Sequence, residues 1–191
     1  MSRWRHPSPG EVFFDLPAVE RELTHTPYFD VNLRGGYFTI EPALRAALVL
    51  PVIPGQGVVL VRVRRPLLGD CPLEVPGGGV AADETAVQAA CRELREETGI
   101  HIADLERFRE MAPLCEDPSR FTRLAHVLCV SITPEEFAAR GESDHEIEEV
   151  VFMDFQALAR ACADGSIYVM GALAVLSRVL QMGADAFDTP P

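Results

Sequence analysis

Residues 78–100, GGVAADETAVQAACRELREETGI, constrain this chain more than any other stretch: a glycine loop runs into a helix with closely spaced carboxylates. Thr85 and Gln88 form a Thr-x-x-Gln capping box, good helix formers follow from Ala86, and Gly99 stands where a left-handed C-terminal cap belongs. This pattern predicts a helix over 86–98. On a 3.6-residue period Val87, Ala90, Cys91 and Leu94 form an apolar stripe, and Ala89, Glu93, Glu96 and Glu97 fall on a neighbouring face.

Glu93 and Glu97 are like charges one turn apart, which costs an isolated helix roughly 0.2–0.5 kcal/mol. Either water screens them or a cation binds them. Carboxylate oxygens beside a glycine loop, whose backbone carbonyls can come close, suit a hard divalent ion such as magnesium or manganese. Arg92 and Arg95 orient the cluster, and Arg92 reaches Glu96 one turn on.

A solvated helix laced with ion pairs would explain Arg-Glu-Leu-Arg-Glu-Glu taken alone. The wider spacing argues otherwise. Gly78, Glu84, Arg92, Glu93, Leu94, Glu96, Glu97, Gly99 and Ile100 make a nine-position pattern, which ordinary residue frequencies produce in fewer than ~1 in 10^6 windows. The segment resembles a complete Nudix box. The resemblance implies an α/β/α sandwich with a mixed sheet that hydrolyses a nucleoside diphosphate linked to another moiety. It assigns metal binding to Glu93, Glu96 and Glu97, a supporting role to Glu84, and a further ligand to the carbonyl of Gly77. The triplet Gly77-Gly78-Gly79 fits, since a bare backbone can approach a phosphate or an ion.

At 191 residues, 48% of them hydrophobic, the chain has the size and composition of one globular domain with a sizeable core. The net charge of −12 argues against nucleic-acid binding through a general basic surface. The first residues lack the apolar run of a secretory signal, and no stretch reaches the ~18 apolar residues of a membrane span. A cytoplasmic location is the expectation. Cys71, Cys91, Cys115, Cys129 and Cys162 are scattered without a Cys-x-x-Cys pair and read as packed thiols.

Residues 1–40 read as a proline-punctuated arm with a short helix over 17–23 and a strand over 36–40. Residues 41–184 are expected to form the Nudix domain, and 185–191 a fraying tail. Residues 45–53 and 57–64 bracket a Pro-Gly-Gln-Gly turn and predict a hairpin. Its second strand ends in Arg62-Val63-Arg64-Arg65, where alternation puts Arg62 and Arg64 on one face and leaves Arg65 at the end. Such arginines solubilise an edge strand or clamp a phosphate; three of them just before the glycine loop of so acidic a chain favour the clamp.

The run from 47 to 78 is similar to the matching region of ADP-ribose pyrophosphatases, a Nudix subgroup. In that subgroup the N-terminal arm often pairs with a second subunit, implying a homodimer. A turn near the substrate follows the box, and Pro118 is its counterpart here, although Ser119 and Arg120 replace the usual glycine. Strands are expected over 105–114 and 121–132, a short helix over 134–140 and a strand over 147–153. Before that last strand, Gly141-Glu142-Ser143-Asp144-His145-Glu146 has the composition of an acidic surface loop. The resemblance instead places Glu146 on a metal-binding position and Asp144 where a general base would sit, with Glu142 as the alternative base. Asp154 is an N-cap for a helix over 155–163, and a final helix over 168–181 follows. His126 reads as a satisfied core residue in a buried strand.

The implied reaction is metal-dependent hydrolysis of ADP-ribose to AMP and ribose 5-phosphate, with Mg2+ or Mn2+ as cofactor, Arg62 and Arg65 on the phosphates, and no nucleic-acid or membrane partner. A Nudix enzyme for another nucleotide sugar or a nucleoside triphosphate shares the box, and a non-catalytic nucleotide sensor is the alternative of a different class.

Overall fold

Nine residues rich in branched apolar side chains, Arg45–Ile53, form the strand about which the domain is built. Alternate residues point to opposite faces of a strand. Here both faces are covered: Ala47, Val49 and Ile53 enter one core, Leu50 and Val52 the other. The computed structural model describes residues 16–182.

The strands in chain order are β1 (Val19–His25), β2 (Phe29–Arg34), β3 (Tyr37–Pro42), β4 (Arg45–Ile53), β5 (Gly57–Val63), β6 (Leu73–Glu74), β7 (Gly77–Val80), β8 (Phe108–Leu114), β9 (Ala125–Ser131) and β10 (Ile147–Asp154). The helices are α1 (Ala86–Thr98), α2 (Pro134–Ala138), α3 (Phe155–Asp164) and α4 (Met170–Met182). A mixed sheet runs β10-β5-β4-β9-β8, with β6 beside β5 and β7 beside β4. Among the described strand pairings of this sheet, β4 with β9 is parallel and the rest are antiparallel. Helix α1 packs on one face through Ala86, Ala89, Ala90 and Leu94. Helices α3 and α4 pack on the other through Leu158, Val175, Leu176 and Val179. The result is the expected α/β/α sandwich.

The hairpin β4–β5 and helix α1 fall where the sequence puts them. The capping box is complete: Gln88 N–H donates to Thr85 Oγ1 at 3.2 Å, and Thr85 N–H donates to Gln88 Oε1 at 2.8 Å. Gly99 adopts the left-handed cap at φ 70° and donates its N–H to the Arg95 carbonyl at 2.9 Å.

The N-terminal arm corrects one expectation. Residues 17–23 do not form a helix; Val19–His25 is strand β1 of a three-stranded antiparallel sheet with β2 and β3. Val19, Arg21 and Leu23 alternate with Glu20 and Glu22, and β2 supplies the hydrogen bonds that such a short helix could not offset by packing. Ile40 joins this sheet to the domain by donating its N–H to the Arg120 carbonyl at 2.8 Å.

His126 is buried as expected, yet neither ring nitrogen has a partner among the described residues. Burial pushes its pKa down and keeps the imidazole neutral. The five cysteines are free thiols; Cys129 is buried, its thiol pushed up to about 12 by burial, whereas Cys115 is exposed rather than packed. No described helix is long and apolar enough to cross a membrane. The tail at 185–191 lies outside the described residues.

Candidate active site

The glycine loop and α1 meet because their side chains leave room for each other. A Cβ on Gly77 would lie 2.5 Å from the Ala47 carbonyl oxygen on β4. One on Gly78 would lie 2.2 Å from Glu93 Oε1, so the absent side chain is what lets a carboxylate sit against the loop backbone. Gly77 N–H in turn donates to Glu97 Oε2 at 3.0 Å.

Arg92 ties the helix to the loop. Its guanidinium donates to Glu84 Oε1 and Oε2 at 2.8 and 3.0 Å, to Glu93 Oε1 at 2.8 Å, to Glu96 Oε2 at 2.9 Å and to the Gly79 carbonyl at 2.8 Å. Glu84 also accepts the Ala81 N–H, which fits its supporting role. Arg92 is therefore a positioning residue.

No arginine among the described residues donates a hydrogen bond to Glu97. Burial pushes its carboxyl up to about 7, and the nearby charge of Glu93 adds to this against the opposing Gly77 hydrogen bond and Arg65. Burial also raises Glu93, although Arg92 pulls the other way. Glu97 is thus short of positive charge, whereas Glu93 shares the Arg92 guanidinium with Glu84 and Glu96.

Among the described residues no three Asp, Glu, His or Cys side chains converge into a ready cage for an ion. Glu96 and one oxygen of Glu93 are drawn to Arg92 instead. The donor chemistry nevertheless fits a hard divalent cation, since Glu93, Glu97 and the Gly77 backbone offer only oxygen and a cation would relieve the buried charge.

A cavity of about 960 Å3 is bordered by Arg64, Arg65, Glu74, His145, Glu146 and Val169. Arg65 donates to both oxygens of Glu74, at 2.7 and 2.8 Å. Glu74 first, then Glu97 and Glu146, raise the pKa of its guanidinium. Arg62 does not border this cavity; it turns to Glu149 at 3.2 Å and the Cys71 carbonyl at 3.3 Å. Strand β5 ends at Val63, so alternation no longer separates the last two arginines, and Arg64 accompanies Arg65 at the cavity wall. Pro118 lies exposed in the turn that Asp117 stabilises by accepting the Ser119 N–H at 2.8 Å.

The acidic loop is pinned to the end of α1. Gly141 N–H donates to the Gly99 carbonyl at 2.9 Å, and Asp144 N–H to the Glu96 carbonyl at 2.8 Å. The Glu146 carbonyl accepts the Arg64 N–H at 3.0 Å, which holds Glu146 at the arginine cavity. Asp144 and Glu142 border a neighbouring hollow with Arg92, Arg95, Glu96 and His101. Gly77 and Glu97 are thus hydrogen-bonded and Glu93 lies against Gly78, Arg65 and Glu146 share the arginine cavity, and Glu96, Asp144 and Glu142 border the neighbouring hollow, whereas Arg62 and Pro118 border neither. Glu74 was missed by sequence reasoning; its position in Leu73-Glu74-Val75-Pro76, directly before the glycine loop, was the available signal.

A family model described as the NUDIX domain matches residues 42–170. An ADP-sugar pyrophosphatase of Mus musculus is 34% identical over 96 residues, covering 48% of this chain and 42% of that protein. The matched region is thus less than half the length of that relative. A crystal structure described as an ADP compounds hydrolase superposes with a TM-score of 0.62 at 16% identity, covering 95% of this chain and 97% of the other, a likeness of fold.

Proposed function

The chain belongs to the Nudix family, and from that premise we propose that it is a pyrophosphohydrolase of ADP-sugars, with ADP-ribose as substrate and AMP and ribose 5-phosphate as products. The observation that carries this reading is the pairing of two carboxylates desolvated by burial, Glu93 and Glu97, at a glycine loop, together with a cavity walled by Arg64 and Arg65, the latter close enough to Glu97 to feel its charge. The mouse relative named for ADP-sugars supports the choice of substrate.

Nudix hydrolases generally use divalent metal ions. Here Glu93, Glu97 and Glu146 would hold Mg2+ or Mn2+, with Glu96 and the Gly77 carbonyl assisting. When bound, the ion neutralises the diphosphate and lowers the pKa of a water. The chain's own residues supply the rest. Arg65, leaving Glu74 for a phosphate oxygen, offsets charge that grows as water attacks phosphorus and the bridging P–O bond breaks. Asp144, with Glu142 as the alternative, accepts the proton of the attacking water, and the departing phosphate leaves as an anion. The 142–146 loop must bring that carboxylate round from the neighbouring hollow, while its anchors at Gly99 and Glu96 keep it at the end of α1.

Val19, Leu23, Tyr28, Tyr37 and Phe38 are exposed on the N-terminal sheet and its turns, a surface suited to a second copy of this chain. Light scattering would give twice the monomer mass. The chain acts in the cytoplasm on a small nucleotide.

The test is a hydrolysis panel with purified protein and magnesium, using ADP-ribose, other nucleotide sugars, dinucleoside polyphosphates and nucleoside triphosphates. Preference for ADP-ribose supports the reading. Preference for another substrate discards the subgroup, and nucleotide binding without turnover of any of them replaces the enzyme with a sensor.

A further inference from the structure

Among the described residues, Glu74 is the one carboxylate in the wall of the arginine cavity that is hydrogen-bonded to an arginine of that wall. Nε and Nη2 of Arg65 donate side by side to its two oxygens, at 2.7 and 2.8 Å. Arg64 turns to Glu148 and Arg62 to Glu149, both on β10 and neither in this wall. Glu97 and Glu146 lie near enough to Arg65 to raise its pKa, yet neither accepts a hydrogen bond from it. An acid fixed beside a phosphate-binding arginine works against that binding, and the two groups are not held alike.

Glu74 is the fixed member. It sits on β6, opposite Val61 of β5, between Leu73 and Val75, whose side chains enter the core. Its side chain is 16% exposed. Arg65 is the movable member: β5 ends at Val63, and the arginine side chain is 46% exposed. Its backbone is nevertheless held. Arg65 N–H donates to the Asp70 carbonyl at 3.0 Å, and the Arg65 carbonyl accepts the Leu68 N–H at 2.9 Å, closing a turn over 65–70. Tyr168 O–H donates to Asp70 Oδ2 at 2.6 Å and ties that turn to the segment before α4. Leu67 and Leu68 at its tip are exposed, so hydrogen bonds rather than packing fix it. Within this frame the guanidinium can swing about its own side-chain bonds while Glu74 stays in place.

We propose that Glu74 is a built-in competitor for Arg65: it holds the guanidinium until a diphosphate displaces it, and takes the guanidinium back from the monophosphate product, which then leaves. The competition turns on tethering rather than on charge. In an intact nucleoside diphosphate derivative the phosphate at Arg65 is joined to a second phosphate and to the groups beyond it, whose contacts keep it at a high local concentration. Breaking the P–O bond removes that tether. Glu74 is joined to Arg65 through the fold and loses nothing, so the balance passes to the carboxylate. The residue thereby favours linked diphosphates over monophosphates. This deepens the proposed hydrolysis and rests on it for the diphosphate; exchange of Arg65 between Glu74 and a phosphate needs no catalysis.

The experiment is calorimetry of inorganic phosphate binding, without metal, to the unaltered chain, Glu74→Gln, Glu74→Asp, Arg65→Ala and the double variant Glu74→Gln with Arg65→Ala, with Tm recorded for each. Glu74→Gln should tighten phosphate at least tenfold, Glu74→Asp by less, and the gain should vanish in the Arg65→Ala background. In steady-state assays with ADP-ribose, Glu74→Gln should lower the inhibition constant of AMP or ribose 5-phosphate at least tenfold and KM by no more than threefold. Unchanged or weaker phosphate binding by Glu74→Gln overturns the competition, weaker binding making Glu74 a positioning residue for Arg65 instead. A gain that persists without Arg65 also overturns it, since simple relief of repulsion explains that result. Should no diphosphate be hydrolysed while the Arg65-dependent gain holds, the enzymatic reading fails and the exchange at Arg65 stands. Hydrolysis of ADP-ribose with both product inhibition constants indifferent to Glu74 overturns the role in product release and leaves the enzyme standing.

Discussion

Replacing Arg92 with alanine removes five hydrogen bonds to Glu84, Glu93, Glu96 and the Gly79 carbonyl. The loss leaves three carboxylates without their cation, one of them, Glu93, only 9% exposed. Taking one partner from a buried charge pair costs about 3–5 kcal/mol. Solvent lowers this, because the Arg92 side chain is 35% exposed and that of Glu96 is 42% exposed. The lower end, about 3 kcal/mol, is the expected destabilisation, which for a chain of this size means a Tm lower by roughly 6–12 °C. Arg92→Lys keeps the charge but cannot bridge several acceptors in one plane, and should recover only about half of the loss. Urea titration followed by circular dichroism measures both, and an unchanged m-value shows that stability rather than compactness moved. In the Arg92→Ala background, Glu84→Gln should restore about 1 kcal/mol, because it removes a carboxylate left without its partner. A cost below about 1 kcal/mol for Arg92→Ala would refute the view that this guanidinium holds loop and helix together.

Gly78→Ala would drive a methyl group to 2.2 Å from Glu93 Oε1; we expect about 1–3 kcal/mol of overpacking cost by urea titration and a higher magnesium requirement in steady-state assays. Glu41 is hydrogen-bonded by Arg34, first, and by Asn32 and Thr39, so its pKa falls from 4.5 to about 2 despite burial. A depressed carboxyl stabilises the fold above its unfolded pKa and loses that contribution as pH falls through the folded one. The wild type should therefore lose about 3 kcal/mol relative to Glu41→Gln between pH ~4.5 and ~2, seen as earlier acid unfolding of the N-terminal sheet. His126 is the opposite case, a histidine whose folded pKa is lowered from 6.5 by burial, so folding must keep it neutral and stability declines as pH drops below that value. His126→Leu removes two unpartnered ring nitrogens and should stabilise the chain by about 1–2 kcal/mol at pH 7, and by more at pH 5, in thermal melts.

Parts of the fold specified by local chemistry were legible in the sequence. Helix α1 carries its own start signal at Thr85 and Gln88 and its own stop at Gly99, and the β4–β5 hairpin carries its turn. Strand β1 was not legible, because what makes Val19–His25 a strand is the hydrogen-bonding edge of β2, several residues further along the chain. The same divide runs through the site. Spacing within one helix placed Glu93 and Glu97 together, whereas Glu74 acquires its position from the pairing of β6 with β5, which brings it to Arg65. Arg62 and Arg64 share a parity that holds only while the strand lasts, and β5 stops at Val63. The acidic loop was visible as composition, but its attachment at Gly99 and Glu96 is made by backbone atoms that no side-chain pattern announces.

The most direct measurement is the initial rate of AMP release from ADP-ribose, followed chromatographically across a magnesium titration, for the unaltered chain and Glu97→Gln. The amide keeps the size of the side chain and can still accept the Gly77 N–H, while removing the negative charge beside Glu93. Saturable magnesium activation of the unaltered chain, with turnover reduced by at least ~10^3-fold in Glu97→Gln at an unchanged Tm, is the expected result. Magnesium-independent hydrolysis, or a Glu97→Gln protein that retains its turnover, would contradict the carboxylate site at the glycine loop.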